Sequence, residues 1–434
     1  MELLAFLLFI SIFLLILYGY PVAFTLGGIS VLYALCFLDP VAYTALPPRI
    51  MGVMSNYVLL AVPLFIFMGI MLERSGLAES LLETMAMLFG GMKGGLAISV
   101  VIVGALLAAS TGIVGATVVT MGLISLPTML KRGYKAELAT GTIAASGTLG
   151  QIIPPSVVLV LLGSVMNVSV GQLFAAALLP GLLLVVAYVI YIVILAKLRP
   201  ESAPGMPHEE ILAFRREHFW SKVLKAFLLP MTLIIAVLGS IFAGIASPTE
   251  AAAVGALGAT ILTVVQGKFS WDVLKTVSRE TTHLTSMVFI ILLGATVFSF
   301  VFREMNGDVY LVNLIRSSNL SPMAFLALVM AVVFIAGFFI DFIEIVFIIV
   351  PVVTPIFIDL NIDLLWIGVL LGLNLQTSFL SPPFGFSLFY LKGVAPPGIT
   401  TGHLYRGIVP FVLIQLLFLL IVILFPGVIH VFLR

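Results

Sequence analysis

The chain has 434 residues, of which 62% are hydrophobic and only 9% are charged, and its formal net charge is +1. A soluble domain carries roughly a quarter of its residues as charged side chains, so the composition excludes a soluble globular protein. The near-neutral charge, without a basic stripe carrying interleaved aromatic residues, excludes a general affinity for nucleic acid.

Apolar runs approaching the length of a membrane-spanning helix, about 17–25 residues, follow one another through the sequence. The first has no basic leading region and no small-residue cleavage site, so we expect it to be retained as a span. No segment alternates in the ten-residue pattern of a transmembrane β-barrel. The sequence therefore predicts an all-α polytopic protein in the lipid bilayer, with apolar runs at 3–17, 57–72, 95–109, 152–166, 172–196, 226–246, 252–265, 286–302, 322–358 and 406–433.

Two segments of the first half interrupt these apolar runs. In AASTGIVGAT (108–117), small and polar residues break the run, and in TGTIAASGTLGQIIPPS (140–156) glycines precede Pro154-Pro155. Two consecutive prolines remove two backbone donors and end a helix. Exposed backbone groups are tolerated at membrane depth only where protein buries them or they line a wet cavity. Unwound carbonyls and hydroxyls suit Na⁺, and amino ends of half-helices suit an anion. A kinked, packed helix is the alternative.

The long polar stretch 197–225 separates the two halves. Its lysines and arginines place it on the cytoplasmic side, as do the basic clusters at 131–135 and 268–279. Apolar residues at helical spacing within the stretch predict a short amphipathic helix on the membrane surface, with a plain connecting loop as the alternative. Further on, SPTEAAA (247–253) predicts a helix start capped by Ser247 or Thr249.

The second half repeats the pattern of the first. Pro127, Pro154 and Pro155 recur as Pro355, Pro382 and Pro383, a shift of 228 each time (355−127, 382−154, 383−155). We predict a duplication, because interrupted segments at matching places in two halves indicate a transporter site. The predicted parts are N-terminal scaffold helices 1–49, a first repeat 50–182, a linker with scaffold helices 183–284, a second repeat 285–412 and a C-terminal helix end 413–434.

The second copy carries its own candidate residues. NLQTSFLSPPFGFS (374–387) has the same ingredients as the first double-proline motif. Upstream, GFFIDFIE (337–344) places Asp341 and Glu344 three residues apart inside an apolar stretch, so a helix would carry both on one face. A carboxylate at membrane depth is costly and suggests a function such as cation or proton binding. A charge at a helix end is the alternative.

At these motifs the sequence resembles the large membrane subunit of tripartite ATP-independent periplasmic (TRAP) transporters. The resemblance rests on VPLFIFMGIMLERSGLAESL (62–81), GGMKGGLAISVV (90–101), LPTMLKRGYKAELATGTIAASGTLGQIIPPS (126–156), LFAAALLPG (173–181), SPTEAAAVGA (247–256) and NLQTSFLSPPFGFSLFYLKGVAP (374–396). The forms STGIVGATVVTMG and SFLSPPFGFSLFYLKG look more like the branch associated with 2-oxo acids, mannitol-type and chloroaromatic compounds. They speak against a dicarboxylate or sialic acid substrate.

The resemblance implies an elevator fold of the ion-transporter superfamily, with two structural repeats, two re-entrant hairpins and two unwound helices. It also implies a Na⁺ gradient as driving force, no other cofactor, a small four-helix membrane subunit and a periplasmic substrate-binding protein. The location implied is the bacterial or archaeal cytoplasmic (inner) membrane.

The implied site residues fall into two groups. Ion binding is assigned to Ser110, Gly112, Ser146, Gly147, Thr148, Pro154, Asp341, Asn374, Thr377, Ser378, Ser381 and Pro382. Substrate binding is assigned to Thr111, Gly115, Gln151, Pro155, Ser156, Glu344, Gln376, Pro383 and Gly385.

These features predict Na⁺-coupled uptake of an organic acid, a monocarboxylate or 2-oxo acid, delivered by a binding protein. A stand-alone Na⁺ or H⁺ symporter of the same fold is the alternative. An enzyme is not expected, because an intramembrane aspartyl protease needs two facing aspartates and the metalloprotease motif His-Glu-x-x-His is absent from the sequence. A channel is disfavoured because broken helices in two copies suit alternating access better than a symmetric pore.

Overall fold

A computed structural model describes residues 2–112, 114–207, 219–317 and 320–433 of the chain. Helices dominate these residues, and no strand occurs among them. Six of the described helices are long and apolar enough to cross a membrane, or seven if one bent pair counts as a span. The prediction of an all-α polytopic membrane protein is confirmed.

The first half of the chain forms ten helices within the described residues. They are α1 (Glu2–Leu17), α2 (Val22–Phe37), α3 (Leu46–Met54), α4 (Ala61–Arg74), α5 (Leu77–Phe89), α6 (Gly95–Thr111), α7 (Val114–Lys131), α8 (Ala136–Thr148), α9 (Val157–Met166) and α10 (Val170–Leu198). α6 and α7 form the first hairpin, because the chain reverses at Gly112 and the two helices pack on each other.

The second half begins where the described residues resume at Phe219. Its helices are α11 (Phe219–Phe242), α12 (Pro248–Val265), α13 (Trp271–Glu304), α14 (Gly307–Ser317), α15 (Pro322–Ala336), α16 (Phe342–Ile348), α17 (Val350–Asp359), α18 (Leu364–Leu380), α19 (Phe386–Val394) and α20 (Thr401–Leu424). α15 and the bent pair α16–α17 form the second hairpin, whose arms contact through the rings of Phe325 and Phe357. α12 begins with the predicted cap: the Ser247 hydroxyl accepts from the amide of Glu250, whose carboxylate accepts from the Ser247 amide.

The two halves are structural repeats related by the 228-residue shift. Moving α7 by 228 gives 342–359, the stretch that α16 and α17 cover together. Moving α8 gives a start at 364, the first residue of α18, and moving α9 gives 385–394, which α19 matches to within one residue. The double prolines therefore mark the same break in the same helix of each repeat.

The predicted boundaries between parts fall inside helices. Positions 50, 182, 285 and 412 lie within α3, α10, α13 and α20, respectively. Matching motifs locate a duplication without locating the helix ends around it, so the division into parts stays a prediction. The predicted amphipathic segment lies largely outside the described residues, which stop at 207 and resume at 219.

The two repeats meet where α8 crosses α20. A Cβ on Gly141 would lie 2.1 Å from the carbonyl oxygen of Gly407, and one on Gly407 would lie 2.0 Å from the carbonyl oxygen of Glu137. No real side chain fits at such distances, so glycine on both helices permits this close crossing. Away from it, α12 and α13 pack on α4, and α13 also packs on α2, which gives a second group of helices beside the repeats.

Candidate functional site

The first broken helix is enclosed by protein. α8 ends at Thr148, a short 3₁₀ turn covers Leu149–Gln151, and helical structure resumes at Val157. Ser156 caps α9: its hydroxyl accepts from the Leu159 amide at 3.4 Å and donates to the Gln151 carbonyl at 2.8 Å. Every residue from 138 to 163 is buried. The interrupted backbone is therefore buried in protein and away from lipid, where its unpaired polar groups would be costly.

The second broken helix is open on one side. α18 ends at Leu380 and α19 begins at Phe386, with Pro383 and Phe384 exposed between them. The Pro383 carbonyl accepts a hydrogen bond from the Tyr405 hydroxyl of α20. Gly385 adopts φ +43°, a left-handed conformation that favours glycine. As in the first motif, the peptide bond between the two prolines is cis.

Hydroxyl groups near both breaks share one arrangement: each donates its proton to a carbonyl one turn earlier in its own helix. Because the proton is used, the lone pairs are what each oxygen presents to its surroundings. All five side chains are buried, and oxygen lone pairs inside a protein are the ligands that a hard cation prefers. The bonds are Ser146 to Ile143 (3.0 Å), Thr148 to Ala145 (2.9 Å), Thr377 to Leu373 (2.7 Å), Ser378 to Leu375 (2.9 Å) and Ser381 to Thr377 (2.8 Å).

The tip of the first hairpin contacts the first broken helix. Gly112 ends α6 with φ +61°, and its amide donates to the Ala108 carbonyl at 3.0 Å. A Cβ on Gly112 would lie 3.2 Å from the amide nitrogen of Val157, the first residue of α9. Gly115 faces the ring of Tyr390 in α19, so this hairpin also reaches the other repeat. The side chains of Ser110 and Thr111 lie outside the described part of the structure.

The tip of the second hairpin carries both predicted carboxylates. Asp341 caps α16, its Oδ1 accepting from the Phe342 amide at 2.6 Å, and Glu344 Oε2 accepts from the Asp341 amide at 3.2 Å. The Asp341 side chain also accepts from the amide of Glu344, so the two side chains form a capping box. This is the helix-end role that the sequence left as the alternative, and a part in ion coupling stays a prediction.

Each hairpin packs on its own broken helix at matching positions. A Cβ on Gly150 would lie 2.7 Å from the Ala108 carbonyl oxygen. At the shifted positions, a Cβ on Gly337 would lie 2.1 Å from Ser378 Oγ. Because 150 + 228 is 378 and 108 + 228 is 336, the two contacts coincide to within one residue. In the second repeat, Asn374 adds a hydrogen bond from Nδ2 to the Met330 carbonyl at 2.8 Å.

The two broken helices also contact each other symmetrically. Ser387 Oγ of α19 donates to the Ala144 carbonyl of α8 at 3.1 Å. At the positions shifted by 228, a Cβ on Gly372 would lie 3.4 Å from Leu159 of α9. The structure therefore brings residues 146–156 against the tip of the first hairpin and residues 374–385 against the tip of the second. It also brings the two broken helices into contact with each other.

Buried amide side chains lie next to the breaks. Gln151 and Gln376 are completely buried, and neither amide group has a hydrogen-bond partner among the described residues. Sequence reasoning missed two further members: Gln415 of α20 donates from Nε2 to the hydroxyl of Tyr188 in α10 at 2.6 Å, and Gln376 lies beside that hydroxyl. A single glutamine inside the apolar run FVLIQLLFLL was the available signal for Gln415.

Comparisons with known proteins agree with this architecture. The chain matches the family described as "Tripartite ATP-independent periplasmic transporter, DctM component" over residues 9–428. It is 33% identical over 405 residues to the C4-dicarboxylate TRAP transporter large permease protein DctM of Pseudomonas aeruginosa, covering 92% of each chain. The ectoine TRAP transporter large permease protein TeaC of Halomonas elongata is 29% identical, with 95% of each chain covered.

Among solved structures, the fold is similar to that of the YdaH transporter of Alcanivorax borkumensis. The TM-score is 0.64 over 90% of each chain, at 15% sequence identity, so this likeness concerns the fold alone. The matched family consists of multi-pass membrane transport subunits rather than enzymes, and it works with a small membrane subunit and a periplasmic binding protein. Its model covers nearly the whole chain, and the site motifs lie within the match. The chain belongs to the family of TRAP transporter large permeases.

Proposed function

We propose that this permease imports an organic acid, a monocarboxylate or 2-oxo acid, together with Na⁺ across the cytoplasmic membrane of a bacterium. A periplasmic binding protein delivers the acid, and a small four-helix membrane subunit completes the complex. The observation that carries the proposal is the pair of matching helix breaks, each lined by buried hydroxyl oxygens and each faced by a glycine-containing hairpin tip.

The oxygen atoms available as ligands at the breaks support Na⁺ as the coupling ion. Hydroxyl oxygens whose protons point back into the helix, together with carbonyls of interrupted backbone, form the type of site that transporters use for Na⁺. Ser146 and Thr377 supply one such oxygen in each repeat. Because both are completely buried, a cation bound to them would exchange water for protein oxygens.

The half-helices support an anionic substrate. α9 and α19 both begin at a break, and the amino end of a helix carries unsatisfied N–H groups and a positive partial charge. In the first repeat, the completely buried and unpaired amide of Gln151 lies just before α9 and can donate to a carboxylate. The tip sequence STGIVGATVVTMG resembles the branch associated with 2-oxo acids, and this resemblance supports the monocarboxylate or 2-oxo acid class, whereas the names of the relatives include C4-dicarboxylates and ectoine.

The symmetric packing supports an elevator movement. Each hairpin contacts its own broken helix and the two broken helices contact each other, so α6–α10 and α15–α20 have the contacts of one moving body. α2, α4, α12 and α13 pack among themselves and form the candidate static part. Alternating access would then consist of a rigid displacement of the first body against the second.

The test is uptake of radiolabelled pyruvate into proteoliposomes that hold the permease, its small membrane subunit and its binding protein. We expect accumulation only under an inward Na⁺ gradient, with a matched K⁺ gradient as control. Equal accumulation with and without an inward Na⁺ gradient would contradict Na⁺ coupling. Uptake at the same rate without the binding protein would favour the stand-alone symporter.

The substrate class needs a separate experiment. A thermal-shift screen of the partner binding protein against monocarboxylates, 2-oxo acids, dicarboxylates and ectoine identifies which acid raises its Tm. We expect the largest shift with a monocarboxylate or 2-oxo acid. A shift confined to dicarboxylates would reject the proposed class while leaving the Na⁺ coupling open to its own test.

A further inference from the structure

A cavity of about 270 Å³ lies beside the second hairpin, away from the helix breaks. One wall comes from α3 and α13, and the other from the end of α9 and from the bent pair α16–α17. Its polar lining includes Arg49, Asn56, Ser164, Asn167, Ser299 and Arg303. The cavity thus lies between α13, in the candidate static part, and helices of the candidate moving body.

The electrostatics of this cavity favour an anion. Two guanidinium groups line it, and none of the described residues that line it is an Asp or Glu. Neither arginine forms an ion pair with a residue that the structure describes. The Arg49 guanidinium lies over the ring of Phe300, 4.9 Å from its centroid, which is a cation–π contact. Free arginine donors of this kind match a carboxylate with two parallel hydrogen bonds.

Two independent paths along the chain place the cavity on the side away from the cytoplasm. α13 starts near Lys268 and Lys275, which the positive-inside rule assigns to the cytoplasm, and its 34 residues span about 50 Å before the end where Arg303 lies. α8 starts after the basic cluster 131–135, and α9 continues it across the membrane to Asn167. Basic residues are depleted on the outer side of membrane proteins. Two arginines in one outer cavity therefore indicate a function for their charge.

Near the equivalent place in the first repeat, an acidic side chain contacts the hairpin. Glu73 lies in the last turn of α4 and Arg303 in the last turn of α13, 230 residues apart (303−73), and Glu73 Oε1 accepts from Thr120 Oγ1 of α7 at 2.7 Å. Position 120 shifted by 228 is 348, which lies in α16. The preceding residue, Phe347, lines the arginine cavity. On the cytoplasmic side an acid is thus bonded to the first hairpin, whereas on the outer side cations face open space beside the second.

We propose that this cavity, lined by Arg49 and Arg303, is an outer binding site that receives the carboxylate of an organic anion before it reaches the helix breaks. The proposal rests on the proposed function, because it assumes an organic acid that enters from the periplasmic side. A volume of about 270 Å³ is enough for several water molecules and therefore for a small acid. The two arginines bind the carboxylate, and the rest of the acid lies against the neutral polar side chains of the cavity.

Protection from arginine modification tests binding without requiring transport. The purified permease with its small membrane subunit is treated briefly with phenylglyoxal, and the modified peptides are quantified by mass spectrometry. We expect pyruvate or succinate to slow modification of Arg49 and Arg303 several-fold, whereas pyruvamide and succinamide have no effect. Arg406, exposed near the start of α20 on the other side, is the internal control. Equal rates with and without both carboxylates, or equal slowing of Arg406, would overturn the proposal.

Uptake by variants separates this proposal from the proposed function. With Arg49→Gln and Arg303→Gln we expect at least a tenfold rise in the half-saturating concentration of binding protein loaded with the tested acid. Arg406→Gln should match the wild type, and Arg303→Lys should retain part of the function because it keeps the charge but loses the planar fork. If Arg49→Gln and Arg303→Gln leave Na⁺-driven uptake unchanged, the proposed outer binding site is wrong and the proposed function stands. Na⁺-independent uptake by the wild type contradicts the proposed function, while the protection experiment still decides on the cavity.

Discussion

The contact between Gly337 and Ser378 offers the sharpest test of how the second hairpin sits on its broken helix. In Gly337→Ala the new Cβ would lie 2.1 Å from Ser378 Oγ and 2.6 Å from Ser378 Cβ. Non-bonded carbons prefer about 3.5–4.0 Å, so the tip must move by roughly 1 Å or more. Forcing an extra methyl into such a packed place costs about 1–3 kcal/mol. We therefore expect the free energy of unfolding to fall by that amount.

The assay is thermal unfolding of the purified protein, followed by tryptophan fluorescence. Trp366 reports on the second repeat, because it is buried in α18 and its Nε1 donates to the Val422 carbonyl at 3.0 Å. A loss of 1 kcal/mol lowers Tm by roughly 2–4 °C in a domain of 150–250 residues, so we expect a fall of several degrees. Gly393→Ala in α19 is the matched control, since a Cβ there meets nothing within 4 Å.

A second substitution tests the cause of the loss. Ser378→Gly removes both atoms that the new methyl would strike, and it gives the second repeat an alanine-against-glycine pairing like that of Ala108 with Gly150, which lies within one residue of the shifted positions. We expect Gly337→Ala/Ser378→Gly to regain part of the lost Tm, limited by the roughly 1 kcal/mol that glycine costs within a helix. Gly337→Ala at or above the wild-type Tm, or no recovery in the double variant, would refute the reasoning.

Three further predictions concern the polar groups of the site. Ser146→Ala and Thr377→Ala should each raise the Na⁺ concentration for half-maximal uptake several-fold with little loss of folded protein, because among the described residues each hydroxyl bonds only its own helix; an equal loss of folded protein would indicate a structural role. Asp341→Asn should abolish uptake if its charge acts in coupling, since asparagine caps a helix about as well; near-wild-type uptake would exclude it. Tyr188→Phe should destabilise by about 1–3 kcal/mol, because Gln415 loses its buried partner; an unchanged Tm would contradict this.

The sequence alone determined the features that depend on local chemistry and on the solvent. Low charge and long apolar runs require a membrane, whatever the tertiary arrangement. Paired prolines must break a helix, and their common shift of 228 located both breaks before any contact was known. The cap at Ser247 was likewise readable, because it involves residues within one turn of each other.

Only the tertiary structure decided which distant groups meet. The crossing of Gly141 and Gly407, the bond between Tyr188 and Gln415 and the fit of each hairpin on its broken helix join residues far apart in the chain. No periodicity encodes such pairs, because they depend on how helices cross. The arginine cavity is the clearest case: Arg303 alone indicates a helix end at the interface, and only the packing of α3 and α13 brings the guanidinium groups of Arg49 and Arg303 to one space.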